Sequence, residues 1–142
     1  MKTVKEIELV LKNEPGELST VSDMLGSNGI NIIAFYVSTT GEAGCLRFVA
    51  NDPEQAINVL RTAGYDIKTH EVVACVTPHH PGGMHAVLKP LKTANINVDY
   101  IYPCIGTGDM TVLIIGLVPV KEALRIMEDN WIRVLGKELY NI

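Results

Sequence analysis

Polar and apolar residues alternate where the chain begins, with Ile7, Leu9 and Leu11 set against Glu6, Glu8 and Lys12. That two-residue period predicts a strand with one buried face. Beyond Asn13-Glu14-Pro15-Gly16 the period lengthens, and Leu18, Val21 and Leu25 fall along one side of a helix. Pro15 suits the first turn of that helix, where the N–H it lacks has no partner, and Asn28-Gly29 ends it. A strand is expected over 30–38, a turn at Gly41-Glu42-Ala43-Gly44 and a strand over 45–50. Asp52-Pro53 starts a second helix carrying Ala56, Ile57 and Leu60, and 66–71 reads as a fourth strand.

The same order then returns. Strands are expected over 72–76, 96–104, 110–116 and 132–140, with helices over 81–94 and 119–129. Pro90 lies inside the first of these helices, where a lost hydrogen bond should kink or shorten its last turn. A shift of 66 residues carries Pro15-Gly16 onto Pro81-Gly82, Ile30-Asn31 onto Ile96-Asn97 and Tyr36 onto Tyr102. Internal repetition at this period means two related supersecondary units in one chain. Each reads β-α-β-β-α-β, so the expected class is α+β, two tandem ferredoxin-like βαββαβ modules with antiparallel sheets. The first module spans 1–70 and the second 71–142. The junction, 66–77, has no linker composition, which points to a continuous bent strand or a strand exchange there.

Modules of this size are marginal alone, so they are expected to pack together or to form a homodimer. Composition agrees, with 47% hydrophobic and 20% charged residues among the 142. In the second strand, Ile30, Ile32, Ala34 and Tyr36 are expected on one face and Asn31, Ile33 and Phe35 on the other. Helices cover one face only, so the remaining apolar face calls for a neighbouring module or chain. A net charge of −4 argues against a nucleic-acid partner, which needs clustered cations. No run reaches the roughly 20 apolar residues of a membrane span, and no signal-peptide core follows Met1. Cys45, Cys75 and Cys104 lack metal-ligand spacing and read as reduced thiols of a cytoplasmic protein.

One loop type carries the chemistry. The 13–16 loop delivers a strand into a helix start, where bare N–H groups and the helix dipole attract a carboxylate. Gly16 lets a ligand approach the backbone; Asn13 and Asn31 add amides. Two amides and a positive helix end, without a strong cation, suit a zwitterion such as a free amino acid. Asp99 would receive the ammonium group in the second copy. The bland alternatives are that Asn13 caps the helix and that Asn31 and Asn97 complete turns. His79, His80 and His85 invite a metal reading, but adjacent histidines diverge, and no metal site or cofactor is expected. No nucleophile elbow, P-loop or dinucleotide fingerprint is present, so the protein is expected not to be an enzyme.

Asn13-Glu14-Pro15-Gly16-Glu17-Leu18 followed by Gly29-Ile30-Asn31-Ile32 resembles the signature of ACT domains. His79 to Met84 followed by Asn95 to Val98 resembles a second, more diverged copy, and the likeness covers almost the entire chain. It implies a stand-alone tandem ACT-domain protein that binds a free amino acid at module interfaces and regulates a biosynthetic enzyme. Carried across, it implies ligand roles for Asn13, Glu14, Gly16 and Asn31, and in the second copy for His79, His80, Gly82, Asn97 and Asp99. Effector-binding members often bear a polar residue two places before the loop amide, where this chain has Leu11 and Thr77. The apolar Leu11 favours one alternative, a ligand-free scaffold; a His-based metal protein is another.

Overall fold

The computed structural model describes residues Met1–Ile142. Its elements, in chain order, are β1 (Val4–Lys12), α1 (Glu17–Ser27), β2 (Ile32–Thr40), β3 (Ala43–Ala50), α2 (Pro53–Thr62), β4 (Ile67–Thr77), α3 (Gly83–Thr93), β5 (Val98–Pro103), β6 (Thr111–Leu117), α4 (Val120–Asp129) and β7 (Val134–Leu135). A 3₁₀ turn over Lys137–Asn141 closes the chain. The α+β, tandem ferredoxin-like reading therefore holds, with the β1–β3, β2–β3, β4–β6, β4–β7 and β5–β6 pairings antiparallel.

Two compact units form, one over Lys5–His70 and one from Met1–Val4 with Glu71–Ile142. In the first, β1 pairs β3 and β3 pairs β2. Ile7 lies opposite Phe48, and Leu9 opposite Leu46, which puts these side chains on one face. They pack with Val21 and Leu25 of α1 and Ala56, Ile57 and Leu60 of α2, all buried. In the second unit β4 pairs β6 and β7, and β6 pairs β5. Val73, Cys75, Leu113 and Ile115 meet Val87 and Leu91 of α3 and Ala123 and Met127 of α4.

The strands anticipated over 66–71 and 72–76 join into a single strand, β4, the continuous strand that the junction's lack of linker composition pointed to. Three expectations need correcting. The closing strand shrinks to two residues, β7, and the chain then turns through Lys137–Asn141. Pro90 neither shortens nor ends α3, which has the same length as α1 at the same offset. Only the Ala86 carbonyl loses its helical donor there, and Ala86 is exposed, so water can replace it.

The third correction concerns faces. A bulge interrupts β2 between Ile32 and Ala34, and another interrupts β5 between Val98 and Tyr100. Ile33 and Asp99, the residues inserted, are equivalent in the repeat. An extra residue reverses the parity of everything after it. Phe35 and Val37 consequently join Ile32 on the helix-covered face, while Ala34 and Tyr36 share the other. In the second unit Tyr100 and Tyr102 share the face away from the helices and stack at 6.3 Å.

Candidate functional site

Both Pro-Gly loops are the same piece of backbone. Gly16 (φ 87°, ψ −11°) and Gly82 (φ 84°, ψ −3°) adopt the left-handed conformation, and the carbonyls of Glu14 and His80 accept from Glu17 N–H and Gly83 N–H. This is a type II turn, with proline at its second position and glycine at its third. Proline thus precedes the helix instead of occupying its first turn. Glycine stands at both caps because a side chain would strain that conformation. No side chain caps either helix, so first-turn N–H groups, such as those of Leu18 and Ser19, have no side-chain acceptor.

Asn13 has a different task from the capping anticipated as its bland role. Its Nδ2 donates to Gly41 O at 3.0 Å, and its backbone N–H donates to Glu42 O at 2.8 Å. The loop is thereby fastened to the β2–β3 hairpin, and the amide oxygen of Asn13 is left for other use. Asn31 lies at the other end of β2. Its N–H donates to Asn51 Oδ1 at 2.9 Å, and Asn51 N–H donates back to Asn31 O at 3.0 Å. Nine residues of strand separate Gly41 from Asn31, about 30 Å at 3.3 Å per residue. The first unit therefore does not bring Asn13 and Asn31 together.

The second copy differs in chemistry. His80 Nδ1 lies 2.8 Å from Pro81 O, tying that ring to its own loop. Asn97 Nδ2 donates to Asp99 Oδ1 at 3.3 Å, so these two candidates do meet. Asn97 also borders a cavity of about 350 Å³ with Asn95, Leu88, Leu91 and Val98. The 79–82 loop stands across α3 from it, an 11-residue helix about 16 Å long. All nine candidate residues, from Asn13 to Asp99, are solvent-exposed. Leu18, expected in the core stripe, and Met84, its equivalent in the repeat, are instead exposed beside the two loops. Leu11 and Thr77 are both buried, the latter with its hydroxyl 3.8 Å from Cys75 Sγ. No group of three His, Cys, Asp or Glu side chains is placed to hold a metal ion.

A charged cluster forms from residues outside the candidate set. Glu6 and Glu8, taken as solvent-facing, meet Arg47 at 3.1 and 2.9 Å, and Glu6 is fully buried. His70 Nε2 lies 3.0 Å from Glu8 Oε2. That hydrogen bond, against the opposing effect of burial and with Arg47 assisting, holds the Glu8 carboxyl below its ordinary value. The available signal was Arg47 itself, a lone cation inside the otherwise apolar run Cys45-Leu46-Arg47-Phe48-Val49-Ala50.

The thiols are not poised for chemistry. Burial pushes Cys75 up to about 11 and Cys104 up to about 12, and burial followed by the Glu8 carboxylate raises Cys45. Alkylation at pH 8 should therefore modify Cys75 about 100-fold more slowly in the folded protein than in the unfolded chain, from thiolate content alone. Equal rates in the two states would show that this thiol is neither buried nor suppressed.

The chain belongs to the ACT domain pair family, whose model matches residues 2–140. Among solved structures it is similar to protein BT0572 from Bacteroides thetaiotaomicron, at 22% identity and a TM-score of 0.92, with 99% of this chain and 98% of that one covered. It is also similar to the regulatory subunit of aspartate kinase from Thermus thermophilus in its ligand-free form (14%, TM-score 0.64, 92% and 94% covered). The corresponding Thermus flavus subunit gives 15% identity and a TM-score of 0.63, with 92% and 94% covered. At such identities the likeness is one of fold. No curated protein matches the chain. No helix is long and apolar enough to cross a membrane.

Proposed function

We propose that this ACT domain pair is a non-catalytic regulatory protein that binds a free amino acid and transmits its presence to an enzyme of amino-acid metabolism. The observation that carries this reading is the loop, built twice: a strand end, a type II turn with left-handed Gly16 or Gly82, and an uncapped helix start. Backbone N–H groups there are suited to a carboxylate. Asn13 Oδ1 on one loop is suited to the ammonium group. In the second copy Asp99, held by Asn97, offers a negative charge at the far end of α3 from its own loop. Since Asn13 and Asn31 occupy opposite ends of β2, a site using both amides takes its strand from another module, which a homodimer supplies. The regulatory subunits of aspartate kinase among the solved structures are in keeping with this reading.

A ligand-free scaffold is the second reading, favoured by the apolar, buried Leu11 and by the exposed Leu18, Met84 and Phe35. Thermal melts against the twenty amino acids separate the two. A ligand at a hundredfold over its Kd adds about 2.7 kcal/mol. That corresponds to a rise of roughly 5–10 °C for a chain of this size. Asn13→Ala and Asn97→Ala should each weaken binding about tenfold or more, through loss of a hydrogen bond to a charged group, and by unequal factors. A flat screen assigns the protein to the scaffold class; binding indifferent to both variants removes these loops as the site.

A further inference from the structure

A groove of the second unit lies away from both Pro-Gly loops and shares no residue with them. It encloses about 690 Å³, within the range of small-molecule sites, over the exposed face of α4. Lys121 and Arg125 stand one helical turn apart on that face, Arg133 comes from the segment entering β7, and Lys2 from the Met1–Val4 segment of the same unit. Leu124, Ile132 and Val134 give the groove an apolar floor.

Charge is concentrated here against the trend of the chain. Two carboxylates accompany the four cations: Glu128 in the wall, and Glu138, which lies 3.8 Å from Lys2 with both side chains exposed. The rest of the chain carries eight cations against fourteen carboxylates. Neither Lys121 nor Arg125 is ion-paired. Arg133 Nη1 donates to the Met110 sulfur, a weak acceptor, at 3.7 Å, and its charge also acts on the Glu138 carboxylate. Lys121 and Arg125, without an ion-pair partner, line the same groove as apolar carbon and match a ligand with several negative charges at one end and an apolar or ring-bearing body at the other. Arginine's planar fork favours phosphate oxygens in particular.

We infer that this groove is a second ligand site, selective for a phosphorylated small molecule of the nucleoside phosphate class. The phosphates lie against Lys121, Arg125 and Arg133, and the ring lies on Leu124, Ile132 and Val134. A protein reading both an amino acid and a nucleoside phosphate would integrate a biosynthetic signal with an energetic one, but this site stands whether or not the loops bind.

Calorimetric titration of the whole chain at low salt tests it, with ATP, inorganic pyrophosphate and adenosine as probes. ATP is expected to bind with submillimolar Kd, pyrophosphate more weakly and adenosine not measurably. Arg125→Ser should weaken ATP about tenfold, and Leu124→Ser should weaken ATP while leaving pyrophosphate unchanged. Melting curves check that each variant is folded; Lys121→Ser, wholly on the surface, replaces either that is not. Asn13→Ala and Asn97→Ala should leave ATP binding untouched. No binding of ATP at millimolar concentration, equal binding of ATP and pyrophosphate, or binding unaffected by loss of Arg125 each overturns the inference. Tighter binding of hexaglutamate than of ATP overturns it in favour of an acidic peptide.

Discussion

Replacing Arg47 by methionine is expected to lower stability by about 3 kcal/mol, the range seen when one member of a buried ion pair is removed. Methionine keeps most of the volume, so the loss reads charge and not a cavity. The guanidinium spans two carboxylates on β1, reaching Glu6 through Nη1 and Glu8 through Nη2. Glu6 has no exposed surface, so a carboxylate there cannot recover the lost interaction from water. Glutamate at this place is tolerated only while cationic or donor groups face it. The melting temperature should fall by roughly 10 °C. The double variant Glu6→Gln with Arg47→Met should recover part of that loss, since a neutral amide is cheaper to bury than a charge. A drop of less than 2–3 °C in the single variant would mean that the strand face is solvated after all.

The same cluster shapes the acid limb of stability. Because Glu8 is held below its ordinary value, chiefly by the hydrogen bond with His70, its contribution is present above the unfolded carboxylate range. It disappears as pH falls through the lowered value, from about pH 4 downward. Removing His70 should therefore lower stability above the carboxylate range and leave it unchanged below the lowered value, which flattens the acid limb.

Gly83→Ala is the second large effect, and its sign runs against helix propensity. Gly83 is the first residue of α3, where alanine would ordinarily gain up to about 1 kcal/mol. Here an added Cβ would overlap the Pro78 carbonyl oxygen and lie 2.8 Å from its carbonyl carbon. Backbone, unlike the tip of a flexible side chain, cannot swing away. The 78–82 loop must shift, and overpacking of this kind costs about 1–3 kcal/mol. The equivalent residue of the first copy, Glu17, is the control. Glu17→Ala should change stability by no more than about 0.5 kcal/mol. If Gly83→Ala is equally silent, the second loop is not seated on Pro78. If it is destabilising and also abolishes only one of two amino-acid binding events, the two loops are separate sites.

How far the sequence carried the reading depends on the kind of force involved. The 66-residue repeat, the order of elements and the Pro-Gly loops were legible because each rests on local chemistry. Proline followed by glycine before an apolar helical stripe permits few backbones, and Gly16 and Gly82 adopt the same one to within a few degrees. The core side chains Ile7, Leu9, Val21, Leu25 and Leu60 also followed from period alone.

Tertiary structure decided the rest. The bulges at Ile33 and Asp99 reversed which residues of β2 and β5 share a face, because parity depends on the partner strand's register, which no single strand encodes. Glu6 became a buried charge only when β3 set Arg47 beside β1. The cations at Lys2, Lys121, Arg125 and Arg133 are scattered along the chain, and folding alone gathers them over one groove. Short-range patterning thus decided which elements form and in what order, whereas the meeting of residues distant in sequence, and with it the electrostatics of each surface, was settled by packing.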